Sequence, residues 1–570
     1  MGHKRVPTHD SIHDHDDSLR HSTHTEPDLA RVDSGHIFVA MSFSRGREIA
    51  FVFIICMAQL MTQAAFTQSL APLHIIGDDL GTTNPGILSW YIASYSLTVG
   101  TFILVMGRFG DLFGYKKMFV LGFIWFGVWS AVVGLAAYSN QYLFIVARAV
   151  QGIGPAMLMP NGLAILGSSY PPGERKHMVF ALFGAVAPTG AILGMVFSAL
   201  FSDLTWWPWT FWSCAIVCIV FAALGAIIIP PPPNNASQHE SWAEKVRDMD
   251  ILGCLTGVIS LVLINIAWNQ GPVVGWGTPY VYVLLIVGFL FLGLFMYFEL
   301  RLAHAPLLPP EVFTPTVGYV LACVACGWAT FGIWVFYLVQ FIQQIRGYNA
   351  LSSALQLVPA SPAGLCASIM TGLLMSKIRP AWIMAIALAA FLTATLLIGT
   401  APAEQIYWGQ TFVSLLVGPF GMDMSFPAST VILSDAVGKK NQGVAASLVA
   451  TVVNYSISIG LGFAGTVEVH VNEGGVGKHN LLKGYRGAWY MGVGFSGLGL
   501  CLAILFVIKT YMADRRPKPS TTPYEEMLDY KRKEGGTGLT TMAPSSRVST
   551  FYTSGNVSRA EIVEPFSPMV

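Results

Sequence analysis

Two ionisable side chains, Arg148 and Asp423, lie inside long apolar runs and could do chemistry there. An isolated charge in such surroundings costs on the order of several kcal/mol, so these groups usually face an interior cavity. A carboxyl group in apolar surroundings also binds a proton more readily than one in water. We therefore expect Asp423 to be a proton or cation site and Arg148 to shape its half of a cavity. The alternative is structural, with Arg148 hydrogen-bonded to carbonyl groups and Asp423 capping a break in a helix.

A short polar segment, residues 107–117, separates the apolar runs 90–106 and 118–137. Its glycines allow two helix ends to approach closely, and its cations favour the cytoplasmic side of a membrane. Asp111 can accept hydrogen bonds from a helix N-terminus or pair with an arginine. We expect this segment to act as a latch between two conformations; the alternative is a role in membrane topology alone. The residues predicted to form the latch are Gly107, Asp111, Gly114, Lys116 and Lys117.

Further polar side chains lie on apolar runs that are expected to border the cavity. Tyr91 and Tyr95 are one helical turn apart and so share a face. Each of these side chains could contact a substrate or, equally well, make a hydrogen bond between helices. The set comprises Gln63, Gln68, Tyr91, Tyr95 and Asn454.

The elements that carry these residues are predicted to be membrane-spanning helices. Charged residues make up 11% of the chain, against about 25% in a soluble domain. Fourteen continuous apolar runs have the length of about 20 residues that a bilayer requires, which predicts an all-α integral membrane protein. No soluble catalytic constellation and no G-x-x-x-x-G-K-[ST] segment occurs, so we expect neither an enzyme nor an ATP-driven pump.

The runs fall into groups of six, two and six. Lys and Arg concentrate in alternate loops, which predicts that both termini are cytoplasmic. The predicted segments are a disordered tail (1–48), a six-helix bundle (49–229), a linker (230–248), a two-helix insert (249–299), a loop (300–316), a second six-helix bundle (317–509) and a disordered tail (510–570). Seven histidines in the first tail could bind a metal weakly, but a solvated tail is the simpler interpretation, and we expect no metal site.

Three stretches resemble known transporters. The spacing Gly–x3–Asp–x2–Gly–x–Lys in residues 107–116 resembles the loop between helices 2 and 3 of the major facilitator superfamily. Arg148–Gly154 resembles its R-x-x-Q-G-x-G motif, and Thr67–Pro72 resembles the end of the first helix of fourteen-span drug:proton antiporters. Val453–Gly462, with Gly465–Glu468, is similar to a fungal branch that includes yeast aminotriazole-resistance proteins, borate-efflux proteins and low-affinity ammonium facilitators.

The chain departs from the antiporter pattern at two places. The fifth-span motif, which bends the helix in that family, is reduced to Gly184, Pro188, Gly190 and Gly194. Gln63 stands at the acidic position of many such antiporters, and Gln68 stands at the family asparagine. A glutamine cannot titrate, so proton coupling would need another group.

The resemblance implies a major facilitator fold, with two six-helix bundles and two extra central helices. It also implies alternating access and, first, proton-coupled efflux of a small organic compound such as a drug or fungal metabolite. A facilitator of a small solute such as ammonium or borate is the second possibility, and a non-transporting sensor is a third. The partners implied are a small-molecule substrate, protons and membrane lipid, with no cofactor and no nucleic acid. A monomer in the plasma membrane is expected, with the vacuolar membrane as the alternative.

Overall fold

The computed structural model describes residue 40 and residues 43–171, 173–230, 249–303, 306–308, 312–437, 442–472, 475 and 477–514. Within these residues the regular structure is helical, and fourteen segments are long and apolar enough to span a membrane. The predicted all-α fold with fourteen spans is therefore confirmed. The spans are α1 Arg45–Thr67, α2 Pro85–Phe113, α3 Tyr115–Tyr138, α4 Gln141–Ser169, α5 Glu174–Leu204, α6 Pro208–Ile228, α7 Ile251–Val274, α8 Pro279–Arg301, α9 Pro315–Ile345, α10 Ala350–Met375, α11 Pro380–Gly399, α12 Gln410–Val437, α13 Gly443–Asn472 and α14 Lys478–Met512.

Four spans are built from more than one helical piece. The α3 span consists of the α-helix Tyr115–Leu135 and the 3-10 turn Ala136–Tyr138. The α4 span consists of Gln141–Gln151 and Ile153–Ser169, and α10 consists of Ala350–Gln356 and Ala360–Met375. The α9 span ends in a π-helical turn, Phe341–Ile345. A separate short helix, Leu73–Asp79, follows α1.

Local sequence sets where the helices around the candidate latch begin and end. Asn84 accepts a hydrogen bond from the Gly86 amide and Pro85 occupies the first turn of α2, as is usual at a helix start. Gly114 separates α2 from α3 with φ of +99°, a conformation that a side chain would strain. We name the surface that carries residues 107–117 the latch face. The opposite surface, where α1 leads into Leu73–Asp79, is the distal face.

The two six-helix halves, α1–α6 and α9–α14, meet along two helix pairs. In one pair α2 packs against α13, and in the other α5 packs against α10. The approach of α2 to α13 is close, since a Cβ atom on Gly100 would lie 2.7 Å from the Tyr455 amide nitrogen. Helix α7 of the insert contacts both α2 and α13. The insert thus lies against one of the two seams between the halves.

Small residues also bring α5 against α1 within the first half. A Cβ atom on Gly190 would overlap the Leu60 carbonyl oxygen, and one on Gly194 would overlap that of Ala64. Close backbone approach at small residues is a general way to associate helices in lipid. Gly184, by contrast, has open space at its Cβ position.

Two helices differ from the expectation in ways that matter for the site. We expected α13 over 442–466, but it continues to Asn472 and so contains Glu468. The prolines around Asp423 favour a break or a bend in α12, and the structural alternative has Asp423 cap such a break; the helix runs unbroken from Gln410 to Val437 with Pro419 and Pro427 inside it, so there is no break for Asp423 to cap. The predicted segment boundaries stay predictions. Most of both tails, including the seven histidines, and residues 231–248 of the linker lie outside the described residues.

Candidate functional site

Arg148 is completely buried inside the first half, where its guanidinium group holds three helices together. Nε donates to the Tyr91 carbonyl oxygen at 3.1 Å and Nη2 donates to that of Ala65 at 2.9 Å. The group also lies 4.6 Å from the centre of the Tyr95 ring. These partners are carbonyl groups and an aromatic face, as the structural alternative for Arg148 anticipates.

The Arg148 contacts extend into a polar network. Nη1 donates to Gln151 Oε1 at 2.6 Å, and Gln151 Nε2 donates to Ser130 Oγ at 2.7 Å. Arg148 and Gln151 are the first and fourth residues of the R-x-x-Q segment, one helical turn apart, so one helix face supplies both. The network cross-links α3 and α4 within the first half.

The two tyrosines predicted to border a cavity lie in this same interior. The Tyr95 hydroxyl donates to the Thr62 carbonyl oxygen at 2.8 Å. The Tyr91 ring packs on Phe144, with ring centres 4.5 Å apart, and its buried hydroxyl has no hydrogen-bond partner among the described residues. Both side chains are buried.

The three polar amides are dispersed. Gln63 is half-buried on α1, and Gln68 is buried just beyond it, with its Nε2 unpartnered among the described residues. Asn454 lies on α13 at the seam with α2, beside Gly100, and its Nδ2 donates to the Ala450 carbonyl oxygen of its own helix at 3.0 Å. The structure therefore joins Tyr91 and Tyr95 to Arg148 but leaves these amides elsewhere.

Asp423 projects from α12 towards the seam between α5 and α10. A Cβ atom built on Gly364 of α10 would lie 2.7 Å from Asp423 Oδ2 and 2.8 Å from Pro188 Cβ of α5. The carboxyl group thus reaches the place where the two halves meet. No hydrogen bond or ion pair to this carboxyl group is found among the residues that the structure describes, and Arg148 lies in a different part of the molecule.

The backbone around Asp423 explains how an unbroken helix tolerates its prolines. Pro427 has no amide hydrogen, so the carbonyl oxygen four residues earlier, that of Asp423, loses its helical donor. Thr371 of α10 donates to that oxygen at 3.4 Å. A neighbouring helix therefore supplies a partner for the freed carbonyl group, as expected for proline inside a membrane helix.

Pro188, from the reduced fifth-span motif, lies on this seam. The next residue, Thr189, is hydrogen-bonded to Ser361 of α10 at 3.3 Å. Gly190 and Gly194 face α1 instead, so the motif residues lie on two surfaces of α5, one packed against α10 and one packed against α1. This division could not be read from the motif alone, because it depends on where the neighbouring helices lie.

The candidate latch lies where α2 joins α3. Asp111 is exposed, and its Oδ1 accepts a hydrogen bond of 2.8 Å from the Tyr115 hydroxyl. Gly107 packs near Pro160 of α4 and near Ser447 of α13, so this corner touches both halves. Lys116 is half-buried and Lys117 is exposed. The Tyr115 hydroxyl is thus the hydrogen-bond donor described for Asp111, and the nearby Arg108 also acts on this carboxylate electrostatically.

Polar contacts join the two halves at the distal face. His74 contacts Gln340 of α9 through Nε2 and Oε1. Gln343 Nε2 donates to the Ala71 carbonyl oxygen at 2.7 Å, and the Leu351 amide donates to Asp203 Oδ2 at 3.0 Å. Burial lowers the pKa of His74, although the Gln340 contact and the nearby Asp78 act in the opposite direction.

Two buried carboxyl groups were missed by the sequence analysis. Glu299 accepts hydrogen bonds from the Leu307 and Leu308 amides, so it caps the turn after α8. Glu468 is 4% exposed and accepts a hydrogen bond of 2.8 Å from the Tyr337 hydroxyl. Both were placed at or beyond the ends of predicted spans. Extending the predicted α13 run of 442–466 by two residues would have brought Glu468 inside it.

Possible metal sites were sought among the side chains that the structure describes. Among the described residues, no group of three or more His, Cys, Asp or Glu side chains is placed to hold a metal ion.

Comparison with known proteins agrees with this architecture. The family model described as Major Facilitator Superfamily matches residues 51–462. The chain is 54% identical to the low affinity ammonium transporter of Saccharomyces cerevisiae, over 82% of this chain and 90% of that protein. It is 46% identical to the efflux pump terJ of Aspergillus terreus, over 89% of this chain and 98% of that protein.

Among solved structures, the crystal structure of the peptide transporter POT in complex with sulfate is similar in fold. It aligns with a TM-score of 0.57 at 14% identity, over 81% of this chain and 94% of that one. The helical architecture and the long family match lead to one conclusion: this chain is a multi-pass membrane transporter, not an enzyme, and it belongs to the Major Facilitator Superfamily.

Proposed function

We propose that this transporter exports a small organic compound in exchange for protons, by alternating access between the two six-helix halves. The observation that carries the proposal is the position of Asp423. Its carboxyl group lies at the α5–α10 seam, beside Pro188 and Gly364, with no cation paired to it among the described residues. Asp423 is half-buried in this arrangement. Closing the seam fully over an unpaired carboxylate is costly, and protonation removes that cost. Movement along the seam that hydrates Asp423 would then release the proton.

The distal contacts support a cycle with two gates. In the arrangement described, His74, Ala71 and Asp203 of the first half bind α9 and α10 of the second. Opening the distal face requires breaking these contacts. We propose that the latch face is cytoplasmic and that Asp111 steadies the opposite conformation, because a single state-specific contact of about 1–3 kcal/mol biases such an equilibrium.

Arg148 has a positioning role in this proposal. Its three hydrogen bonds fix α1, α2 and α4 relative to one another, so the first half can move as a rigid unit. The substrate would bind between the halves near the bilayer midplane, as is general for this class of transporter. Gln63 and Asn454 are the half-buried amides that remain candidates to meet it.

The relatives favour two substrate classes. The similarity to an efflux pump supports export of an organic compound. The higher identity to a low affinity ammonium transporter supports a second candidate, facilitated passage of ammonium. The two candidates differ in energetics, since exchange with protons moves solute uphill and a facilitator only equilibrates it.

Transport in yeast cells tests the proposal. Cells that lack their own related pumps and express this chain are loaded with radiolabelled aminotriazole or methylammonium. We expect uphill extrusion of aminotriazole that collapses when a proton uncoupler is added. Equilibration of methylammonium that the uncoupler leaves unchanged would favour the facilitator.

A matched pair of variants isolates the carboxyl group. Asp423→Asn should abolish uphill extrusion. Asp435→Asn makes the same change at an exposed position on the same helix and should leave extrusion intact. Uphill extrusion that survives in Asp423→Asn would remove Asp423 from the mechanism.

The oligomeric state and the membrane in which the protein works can be inferred from the same proposal. We propose that it works as a monomer, because each chain contains both halves and the seam between them. We further propose that it lies in the plasma membrane, where export removes a compound from the cell. Fluorescent tagging at the C-terminus and fractionation against vacuolar markers distinguish the two membranes.

A further inference from the structure

The structure contains a second carboxyl group that the proposed mechanism does not use. Glu468 lies on α13, one helical turn before its end at Asn472, and is thus near the distal face. It is almost completely buried, and the hydrogen bond described for it comes from the Tyr337 hydroxyl of α9 at 2.8 Å. Buried carboxyl groups in membrane helices are rare and mark functional sites more often than not.

Among the described residues, Glu468 is contacted by the Tyr337 hydroxyl and by Gly484 of α14, where a Cβ atom would lie 3.1 Å from Glu468 Cγ. Tyr337 faces it from α9, and Tyr485 of α14 packs on Tyr337 with ring centres 5.5 Å apart. Lys483 and Arg486 flank Gly484 on α14, but neither acts on the Glu468 carboxyl group electrostatically. Arg486 Nη2 instead donates to the Ala401 carbonyl oxygen at 3.2 Å. His470, on the same helix, contacts the Thr466 carbonyl oxygen. Within the part of the chain that the structure describes, a carboxylate at Glu468 would therefore lie in an apolar and aromatic site without a compensating cation.

The partner of Glu468 lies on the element that closes the distal face. Tyr337 is one helical turn before Gln340, which contacts His74 of the first half. Gln343, one turn further, binds the Ala71 carbonyl group and lies in the π-helical turn Phe341–Ile345. Single π-helical turns occur often at functional sites because they adjust the helix locally. One short stretch of α9 thus contacts the buried carboxyl group and makes two of the three distal contacts.

We propose that Glu468 is a proton-binding site, separate from Asp423, whose protonation permits the distal face to close. With the face open, water reaches the site and the carboxylate is stable. Closure removes that water, and the carboxylate would then be buried without a cation. The carboxylate first takes a proton from water on the distal side, and the neutral group is buried with the Tyr337 hydroxyl still donating to it. Opening returns the proton to the same water.

The inference rests on the proposed function in one respect, namely that proton binding serves transport. Its test therefore includes measurements that need no substrate. Purified full-length protein in liposomes is compared as the wild type, Glu468→Gln, Tyr337→Phe and Glu404→Gln. The last variant makes the same change at an exposed position in the loop between α11 and α12.

The first measurement is the pH-dependent infrared difference spectrum of the carboxyl C=O stretch. We expect a band that is lost in Glu468→Gln, retained in Glu404→Gln and shifted in Tyr337→Phe, where the carboxyl group remains but its donor is gone. A difference spectrum that is the same in the wild type and Glu468→Gln would overturn the proton site. The Tyr337→Phe band keeps the test decisive even where Glu468→Gln does not fold.

The second measurement is hydrogen–deuterium exchange of residues 70–81 and 341–351, corrected for the intrinsic effect of pH. We expect exchange in the wild type to rise with pH, because deprotonation opens the distal face. Glu468→Gln, which is permanently neutral, should show slow exchange at every pH. An equal rise in that variant would refute control of the gate by Glu468.

The two proposals fail in different ways. A wild-type protein that moves no protons with its solute, yet shows the Glu468 band and the pH-dependent exchange, would refute proton-coupled export and support the proton site. Intact coupling, with unchanged spectra and exchange in Glu468→Gln, would overturn the site alone.

Discussion

Gly364→Ala gives the sharpest prediction about the seam between the halves. The added methyl group would lie 2.7 Å from Asp423 Oδ2 and 2.8 Å from both Cβ and Cγ of Pro188. An ordinary contact begins near 3.4 Å, so each neighbour must move by about 0.6 Å. Pro188 is a ring on a helix backbone and cannot rotate away, so α5 and α10 must separate or Asp423 must turn.

The energy of this change is the balance of two terms. Replacing glycine by alanine inside a helix gains about 0.5–1 kcal/mol. Overpacking a well-filled site costs about 1–3 kcal/mol. Gly364→Ala should therefore be destabilising by up to about 2 kcal/mol, and most of the change falls on the arrangement in which the seam is closed. Gly372→Ala on the same helix has open space at its Cβ position and should gain only the helical term.

The assay compares both variants for thermal unfolding in detergent and for solute extrusion in cells. We expect Gly364→Ala to unfold at a lower temperature than Gly372→Ala and to lose most of its uphill extrusion. Gly372→Ala should match or exceed the wild type in stability and transport normally. Equal behaviour of the two variants would show that the seam is not packed as described.

Three further perturbations test other parts of the account. Asp111→Asn should slow transport without lowering the amount of protein in the membrane; normal transport rates would exclude the latch. Arg148→Leu should lower the free energy of unfolding by about 1–3 kcal/mol for each carbonyl group left without a donor, measured by thermal unfolding; a stable but inactive variant would instead assign Arg148 a direct part in transport. The pKa of His74 is lowered by burial, so the folded protein binds a proton at this residue less readily than the unfolded chain does. Neutral His74 therefore adds to the free energy of unfolding in full above the ordinary histidine pKa, and this contribution is lost as pH falls below that pKa. Unfolding temperatures across this pH range should therefore fall more steeply for the wild type than for His74→Gln, and parallel curves would contradict the burial of His74.

The fold could be predicted from the sequence because lipid imposes one dominant rule. Backbone polar groups in lipid must be satisfied within the protein, and a helix satisfies nearly all of its own, so span lengths follow from apolar runs. The fourteen predicted spans all appear. Helix ends and breaks were harder to predict. Polar residues continue α13 past residue 466, and α12 runs without a break through its two prolines.

The candidate site was less predictable because side-chain partners come from distant helices. Arg148 could be located within its span, but only packing reveals that Tyr91 and Ala65 supply its acceptors. Asp423 was recognised as unusual by residue type, yet its approach to Pro188 depends on how α5, α10 and α12 meet. Glu468 was quoted only for its family resemblance and was not singled out as an ionisable group, because its span was predicted to end at 466.

Proton flux in liposomes tests the central claim most directly. Purified wild type, Asp423→Asn and Asp435→Asn are each reconstituted into liposomes that contain a pH-sensitive dye. Aminotriazole and methylammonium are then supplied to separate samples of each protein. We predict that solute movement drives opposite proton movement in the wild type and in Asp435→Asn, and none in Asp423→Asn. Solute that crosses without protons in the wild type, or proton movement that persists in Asp423→Asn, would contradict the account.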